Sequence, residues 1–353
     1  MAGKKKAVQG GKRKQDIVFM NVLFCLLVIF IHIASEIVVQ MPKNTWVFRI
    51  VFSAHRLSSF VVQGFLLLSA VKLFMKSKIN YPKYYLGRFL RVIVPYVIWV
   101  FIYYCYFCYK KYFGFSLSDF IGYVLRGDLS AHFYYIIILI QFDLLAPLWR
   151  FIYKKGNAAV HVAFALIITV ICHQYLMPIL ATLFPAIPAI DFTNCFLRYL
   201  VYWTAGCMIG KHYEEFRAYL KKNIIQISVM FIFCGVLNVA LALTTVGHPP
   251  VWLEFVHILY CMSAILFIYM TGQLFAGNSL LKPLSLIDKS SYAIYLIHCL
   301  ILVMTNHYMD DHGITSLTMR FGIRAATVYG ISIGLCVLWQ IIKIPIANAI
   351  RRS

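Results

Sequence analysis

Apolar stretches long enough to cross a lipid bilayer recur along this chain from Ile17 to Ile350, and that recurrence constrains the fold more than any other feature. A helix needs roughly 20 apolar residues to span a hydrocarbon core of about 30 Å. Inside lipid every backbone N–H and C=O must be bonded within the protein, so the choice lies between helices and a closed barrel. Barrel strands alternate their character with period two. Runs such as Tyr134 to Ile140 are apolar on every side, which leaves helices. With 62% of 353 residues apolar and only 13% charged, there is also too little polar surface for a water-facing protein. The expected fold is therefore all-α, a polytopic transmembrane bundle with about ten spans, at 17–38, 55–75, 89–109, 132–153, 158–177, 194–211, 223–245, 251–275, 290–307 and 318–344.

A formal net charge of +21 raises the question of nucleic acid, and the placement of the charges answers it. One set of alternate connections, made of the N-terminal tail, Lys72 to Arg91, Arg150 to Lys155, Lys211 to Lys222, Lys282 to Lys289 and the C-terminus, holds 24 of the 33 basic residues and 4 of the 12 acidic ones. By the positive-inside rule that side is cytoplasmic, with both termini on it. The charge orients the protein, and Lys4 to Lys14 can also touch anionic lipid. A signal peptide is not expected at the start, because the apolar run is too long and carries His32 and Glu36. The domain reading is a basic tail, 1–16, and one membrane domain, 17–350; the cell membrane is the expected location. Ten cysteines are scattered singly through the spans, and Cys105 and Cys108 are read as small buried filler, so no disulfide framework and no metal site are expected. Between Phe115 and Arg126 the pattern fits either an amphipathic surface helix or a loop.

Ionisable side chains inside spans are costly and mark function unless an interhelical contact explains them. His32 lies near the middle of the first span, with Glu36 four residues later on the same face. A carboxylate there can orient an imidazole as a general base; the alternative is a plain helix-to-helix hydrogen bond. Asn21 lies three turns earlier, about 16 Å toward the cytoplasmic mouth. Arg88 and Arg91 share a face at the start of the third span, suited to phosphate oxygens, or simply marking the inner side. Ser291, Tyr295 and His298 form a polar stripe that looks at a substrate or at another helix. Gln63, Ser69 and Gln141 are weaker instances, and Asp143 adds a buried acid. His55, His132, His248, His307 and His312 fall near the outer interface and are read as bystanders.

Together these residues resemble the acyltransferase-3 family of membrane O-acyltransferases. The segment Asn21 to His32 is similar to the family's opening motif of Arg, ten residues and then the essential His, with Asn21 in the arginine position. Phe65-Leu-Leu-Leu-Ser69-Ala70 resembles its F-x-x-x-S-G stretch, Arg88 to Arg91 its RxxR, and His132-Phe-Tyr-Tyr135 with Pro147 its H-L-W-F-L span. Gly206 and Gly210 resemble its glycine-bearing middle span, and Ser291 to His298 its late S-x3-Y-L-x-H. The resemblance implies transfer of an acyl group, most often acetyl from acetyl-CoA as co-substrate with no bound cofactor, to a hydroxyl of a cell-envelope glycan. It implies His32 as base or acyl acceptor with Glu36 stabilising it, Asn21, Arg88, Arg91 and Lys83 on the donor side, and Gln63, Ser69, Ser291, Tyr295 and His298 in the pocket. Two other functions compete: a polysaccharide or lipid-linked sugar exporter without acyl transfer, and a sensor or scaffold without chemistry.

Overall fold

A computed structural model of the chain describes residues 14–176, 179, 182–183, 194–250, 252–275 and 283–350. The tail 1–13, most of the Met177 to Asn194 stretch and part of the connection containing Lys282 lie outside the described residues. Within them the protein is all helical: α1 Gln15–Gln40, α2 Trp46–Ser58, α3 Val61–Phe74, α4 Tyr81–Arg88, α5 Val94–Tyr109, α6 Leu117–Arg126, α7 Tyr134–Leu144, α8 Ala146–Ile152, α9 Ala158–Ile171, α10 Leu200–Lys211, α11 Tyr213–Lys222, α12 Ile224–Thr244, α13 Leu253–Leu274, α14 Leu284–Asp311 and α15 Leu317–Ile350.

Eight segments among the described residues are long and apolar enough to cross a membrane, and α7 with α8, bent by 58° at Leu145, makes a ninth. The remaining expected span, 194–211, is a 3-10 turn, Phe196–Tyr199, running into the twelve-residue α10. It falls short in length because it is sheltered by protein: every residue from Leu200 to Gly210 is buried. Gly206 and Gly210 let its backbone press on α3. A Cβ on Gly206 would lie 2.4 Å from the Leu67 carbonyl oxygen, and one on Gly210 2.6 Å from that of Val71. Small residues four apart serve this close approach between membrane helices.

Contacts between connections sort the bundle into two ends. At one, Lys14 pairs with Glu214, Arg217 with Asp16 at 3.3 Å, Arg150 donates to the Leu73 carbonyl at 3.0 Å and Lys211 to that of Tyr153 at 3.2 Å. At the other, Lys43 donates to the Val246 carbonyl at 3.3 Å, Asn194 to that of Arg126 at 3.2 Å, and Tyr106 bonds His307 at 2.6 Å. These groups match the basic and non-basic sets of connections. Asn194 and Lys211 fall at opposite ends, so the short α10 segment runs from one to the other.

Local chemistry fixes the pieces around the site. Asn80 caps α4 by accepting from the Lys83 N–H, with Pro82 in the first turn, and a π-helical turn at Phe89–Ile93 widens the helix before α5. Ser116 caps α6, which is a helix as one of the two sequence readings had it, and Gly127 ends it at φ +69°. A side chain at Gly127 would also meet Ile137 Cγ1 at 2.6 Å, so glycine lets this turn lie against α7. All ten cysteines are unpaired. Cys105 is exposed and Cys108 half-buried, so the filler reading is corrected: they sit on a face that the bundle does not cover. α1 lies at the centre, packed by α2, α3, α13, α14 and α15.

Candidate active site

Three histidines, two from helices and one from the turn before α7, meet at the middle of α1. The ring of His32 lies 5.1 Å from that of His298 on α14 and 6.2 Å from that of His132, and His132 and His298 are 5.0 Å apart. His132 is 2% exposed, which overturns its reading as an interfacial bystander. The turn after Gly127 brings it inward just before α7 begins. Its Nδ1 shares a hydrogen bond of 3.1 Å with the Ser130 hydroxyl, and its buried Nε2 has no partner among the described residues. Nδ1–H of His298 donates to the Tyr295 carbonyl at 2.7 Å, which fixes the tautomer and leaves Nε2 as the acceptor. Tyr295 in turn donates to the His132 carbonyl.

A ring nitrogen each of His32 and His298 and the sulfur of Cys299 lie within 4.8 Å of one another, a donor set of the kind a metal ion can use. Cys299 Sγ and His298 Nε2 already meet at 3.3 Å, a hydrogen bond that satisfies both.

His32 opens onto a cavity of about 240 Å³ walled by Val28, Ile31, Val62, His132, Tyr134, Tyr135 and Tyr295. Two more cavities flank it. Toward the basic end, one of about 460 Å³ is lined by Lys72, Lys76, Lys78, Lys83, Arg88 and Arg91, with Ser69 and Asn80. Toward the other end, one of about 380 Å³ is lined by Asp128, Ser130, Tyr134, Asn194, Arg198 and Tyr199. Tyr134 lines both the central and the polar cavity, and Tyr135 lines the central one.

The other sequence-predicted residues divide between this row and its supports. Arg88 and Arg91 line the basic cavity; Arg91 is exposed, whereas Arg88 is held by Asp143 at 2.9 Å, and Tyr84 donates to the same carboxylate at 2.6 Å. Asn21 is turned to a different task. Its amide donates to Asp288 at 2.8 Å and to the Ser291 hydroxyl at 3.1 Å, well along α1 from His32. Ser291 therefore belongs with Asn21, apart from Tyr295 and His298, because its hydroxyl also bonds the Asp288 carbonyl at 2.9 Å. With its amide turned end for end, Gln63 donates to the Ser59 and Phe60 carbonyls just before α3, at 3.0 and 3.2 Å.

Glu36 does not bond His32. It accepts from Arg320 at 3.1 Å and from Arg324 at 2.7 Å, both on α15. The expected His32–Glu36 hydrogen bond is thus replaced by a partly buried ion cluster between α1 and α15, completed by Asp310 on Arg320 at 2.6 Å and Asn306 on Arg324 at 2.8 Å. Sequence reasoning passed over both arginines and the shared wall of Tyr134; only the position of His132 in a family-like segment signalled its place.

An all-helical, multi-pass membrane protein with a histidine-lined chamber between a cationic cavity and a polar one is the class that fold and site define. The acyltransferase domain of the acyltransferase-3 family matches residues 17–339, nearly the whole length, and the chain belongs to that family. Among curated proteins it is similar to the probable poly-beta-1,6-N-acetyl-D-glucosamine export protein of Staphylococcus epidermidis, 22% identical over 332 residues covering 88% of this chain and 90% of the relative. The protein of the same name from strain ATCC 35984 matches to the same extent. No solved structure matches the chain.

Proposed function

We propose that this protein takes an acyl group, acetyl in the first instance, from acyl-CoA at the cytoplasmic face of the cell membrane and transfers it to a hydroxyl of an envelope glycan. The observation that carries this reading is the histidine-lined cavity set between a cationic one toward the basic end and a polar one with which it shares Tyr134. Six cations suit the phosphates of CoA, among which Arg91 and Lys83 are free to move onto a ligand while Asp143 holds Arg88 in place. The pantetheine arm is long and thin, and it has to pass from the basic cavity, lined by Ser69, into the central one, lined by Tyr135, to bring the thioester to His32.

In the central cavity His32 takes the proton of the acceptor hydroxyl as its oxygen attacks the thioester carbonyl. The tetrahedral intermediate then collapses, the carbon–sulfur bond breaks, and the CoA thiolate leaves with the proton that His32 returns. His132 supplies a donor for the oxyanion of that intermediate. In the tautomer in which Nδ1 accepts from the Ser130 hydroxyl, the proton sits on the buried Nε2, where it meets the oxyanion. Leaving a buried polar atom unsatisfied costs roughly 1–3 kcal/mol, which an oxyanion recovers.

The test is release of free CoA thiol from acetyl-CoA by the purified, detergent-solubilised protein with an envelope glycan fraction as acceptor. Glycan-dependent release, abolished in His32→Ala and lowered roughly 10²–10³-fold in His132→Ala as for loss of an oxyanion donor, is the expected result. The name of the relatives favours a second reading, export of a sugar polymer. An exporter would not consume acetyl-CoA, so a folded wild-type protein that releases no thiol from several acyl donors would decide for export.

A further inference from the structure

Beside the base lies a set of donor atoms that acyl transfer does not use. Cys299 takes no part in the reaction, yet its sulfur and one ring nitrogen each of His32 and His298 lie within 4.8 Å of one another. Among the described residues no other three histidine, cysteine or carboxylate side chains come together in this way. The buried pair Cys261 and His257, 3.4 Å apart, is the nearest parallel and lacks a third donor. His298 is oriented as metal-binding histidines are: the Tyr295 carbonyl holds its Nδ1–H at 2.7 Å, which leaves the lone pair of Nε2 for Cys299 Sγ at 3.3 Å. The ring nitrogens of His32 have no hydrogen-bond partner among the described residues, and the ring borders the cavity of about 240 Å³. Around a tetrahedral zinc ion, bonds of about 2.0 Å to nitrogen and about 2.3 Å to sulfur hold the donors roughly 3.3–3.6 Å apart. His298 and Cys299 already have that separation. His32, with space on its cavity side, closes the set by a shift of roughly 1 Å.

We propose that His32, His298 and Cys299 form a site for a zinc ion, and that zinc bound there switches the protein off. Two imidazoles and a thiolate suit a borderline-soft ion, and a set without oxygen donors turns away magnesium and calcium. On binding, the Cys299 thiol loses its proton to solvent, a sulfur–zinc bond replaces the Cys299–His298 hydrogen bond, and each imidazole gives one lone pair to the ion. The thiolate offsets one of the two charges, and the fourth position, on the cavity side, takes hydroxide or another anion. His132 stands over this side, its ring 5.0 Å from that of His298 and 6.2 Å from that of His32, and its buried Nε2, without a partner among the described residues, is left to meet that ligand. The switch rests on the reading of His32 as the base: a neutral imidazole has one basic lone pair, and zinc holds it. The site itself does not depend on that reading.

The experiment uses the full-length, detergent-solubilised protein, purified without a polyhistidine tag, reduced and stripped with a chelator. Cobalt(II), a spectroscopic substitute for zinc, should bind one equivalent and give a sulfur-to-cobalt charge-transfer band with intense tetrahedral d–d bands, which zinc but not magnesium should bleach. Cys299→Ser should lose the charge-transfer band and Cys261→Ser should keep it. In the thiol-release assay, one equivalent of zinc should lower wild-type turnover at least tenfold, and chelation should restore it. Cys299→Ser should turn over like the wild type without zinc and need at least tenfold more zinc for inhibition, a resistance that misfolding does not produce. The absence of a charge-transfer band in the folded wild type, or a band that survives in Cys299→Ser and so marks an adventitious ion only, would overturn the inference. Full turnover with the site loaded would overturn the switch. A Cys299-dependent band in a protein that releases no thiol, with or without zinc, would support the site and remove the transferase reading alone.

Discussion

Replacing Glu36 by alanine separates two roles for this residue that predict opposite results. In the structure its carboxylate holds Arg320 and Arg324 in a partly buried cluster between α1 and α15. After Glu36→Ala, Arg320 keeps Asp310 at 2.6 Å and the Ile314 carbonyl at 3.0 Å, so its loss is small. Arg324, whose side chain is 4% exposed, keeps among the described residues only the uncharged Asn306 at 2.8 Å. Removing one partner of a buried ion pair costs about 3–5 kcal/mol, and the remaining bonds put this case near the lower limit. Thermal unfolding of the solubilised protein should show a clear fall in melting temperature. Glu36→Ala combined with Arg324→Met, which removes the stranded charge, should recover most of it, since apolar replacement of a buried pair is often neutral. Thiol release per folded molecule should change little in either variant. An unchanged melting temperature with turnover abolished would refute this assignment and return Glu36 to His32.

Gly206→Leu should prevent α10 from seating on α3, because even a Cβ would come within 2.4 Å of the Leu67 carbonyl; loss of monodisperse protein on size-exclusion chromatography is the expected outcome, whereas Gly322→Leu, with open space around it, should elute as wild type. Arg91→Ala removes an exposed cation from the basic cavity and should raise the KM for acetyl-CoA roughly tenfold, as loss of one charge-assisted contact of about 1.5 kcal/mol does, with kcat preserved and the effect shrinking as salt is added.

The sequence by itself determined that this is a multi-pass helical membrane protein, which connections share an end, and that His32 and His298 lie in the interior. Those facts follow from hydrophobic length, the sorting of Lys and Arg, and the cost of burying polar groups in lipid, all of them local properties of a segment. The family, too, was legible, because its motifs are short and stand in order, and the match over 17–339 bears it out. Which polar groups meet was decided by tertiary packing. Sequence spacing offered Glu36 to His32 across one turn, but packing delivered Arg320, 284 residues away, because α15 lies along the same end of α1. His132 looked interfacial since it stands at the start of a span, and it is buried because the turn after Gly127 folds back into the bundle. Asp143, an isolated acid in the sequence, becomes the anchor of Arg88 only when α7 is set beside α4. A helix fixes the direction of its own side chains, and the partner that satisfies each buried one is supplied by another helix, at a position that no local pattern encodes.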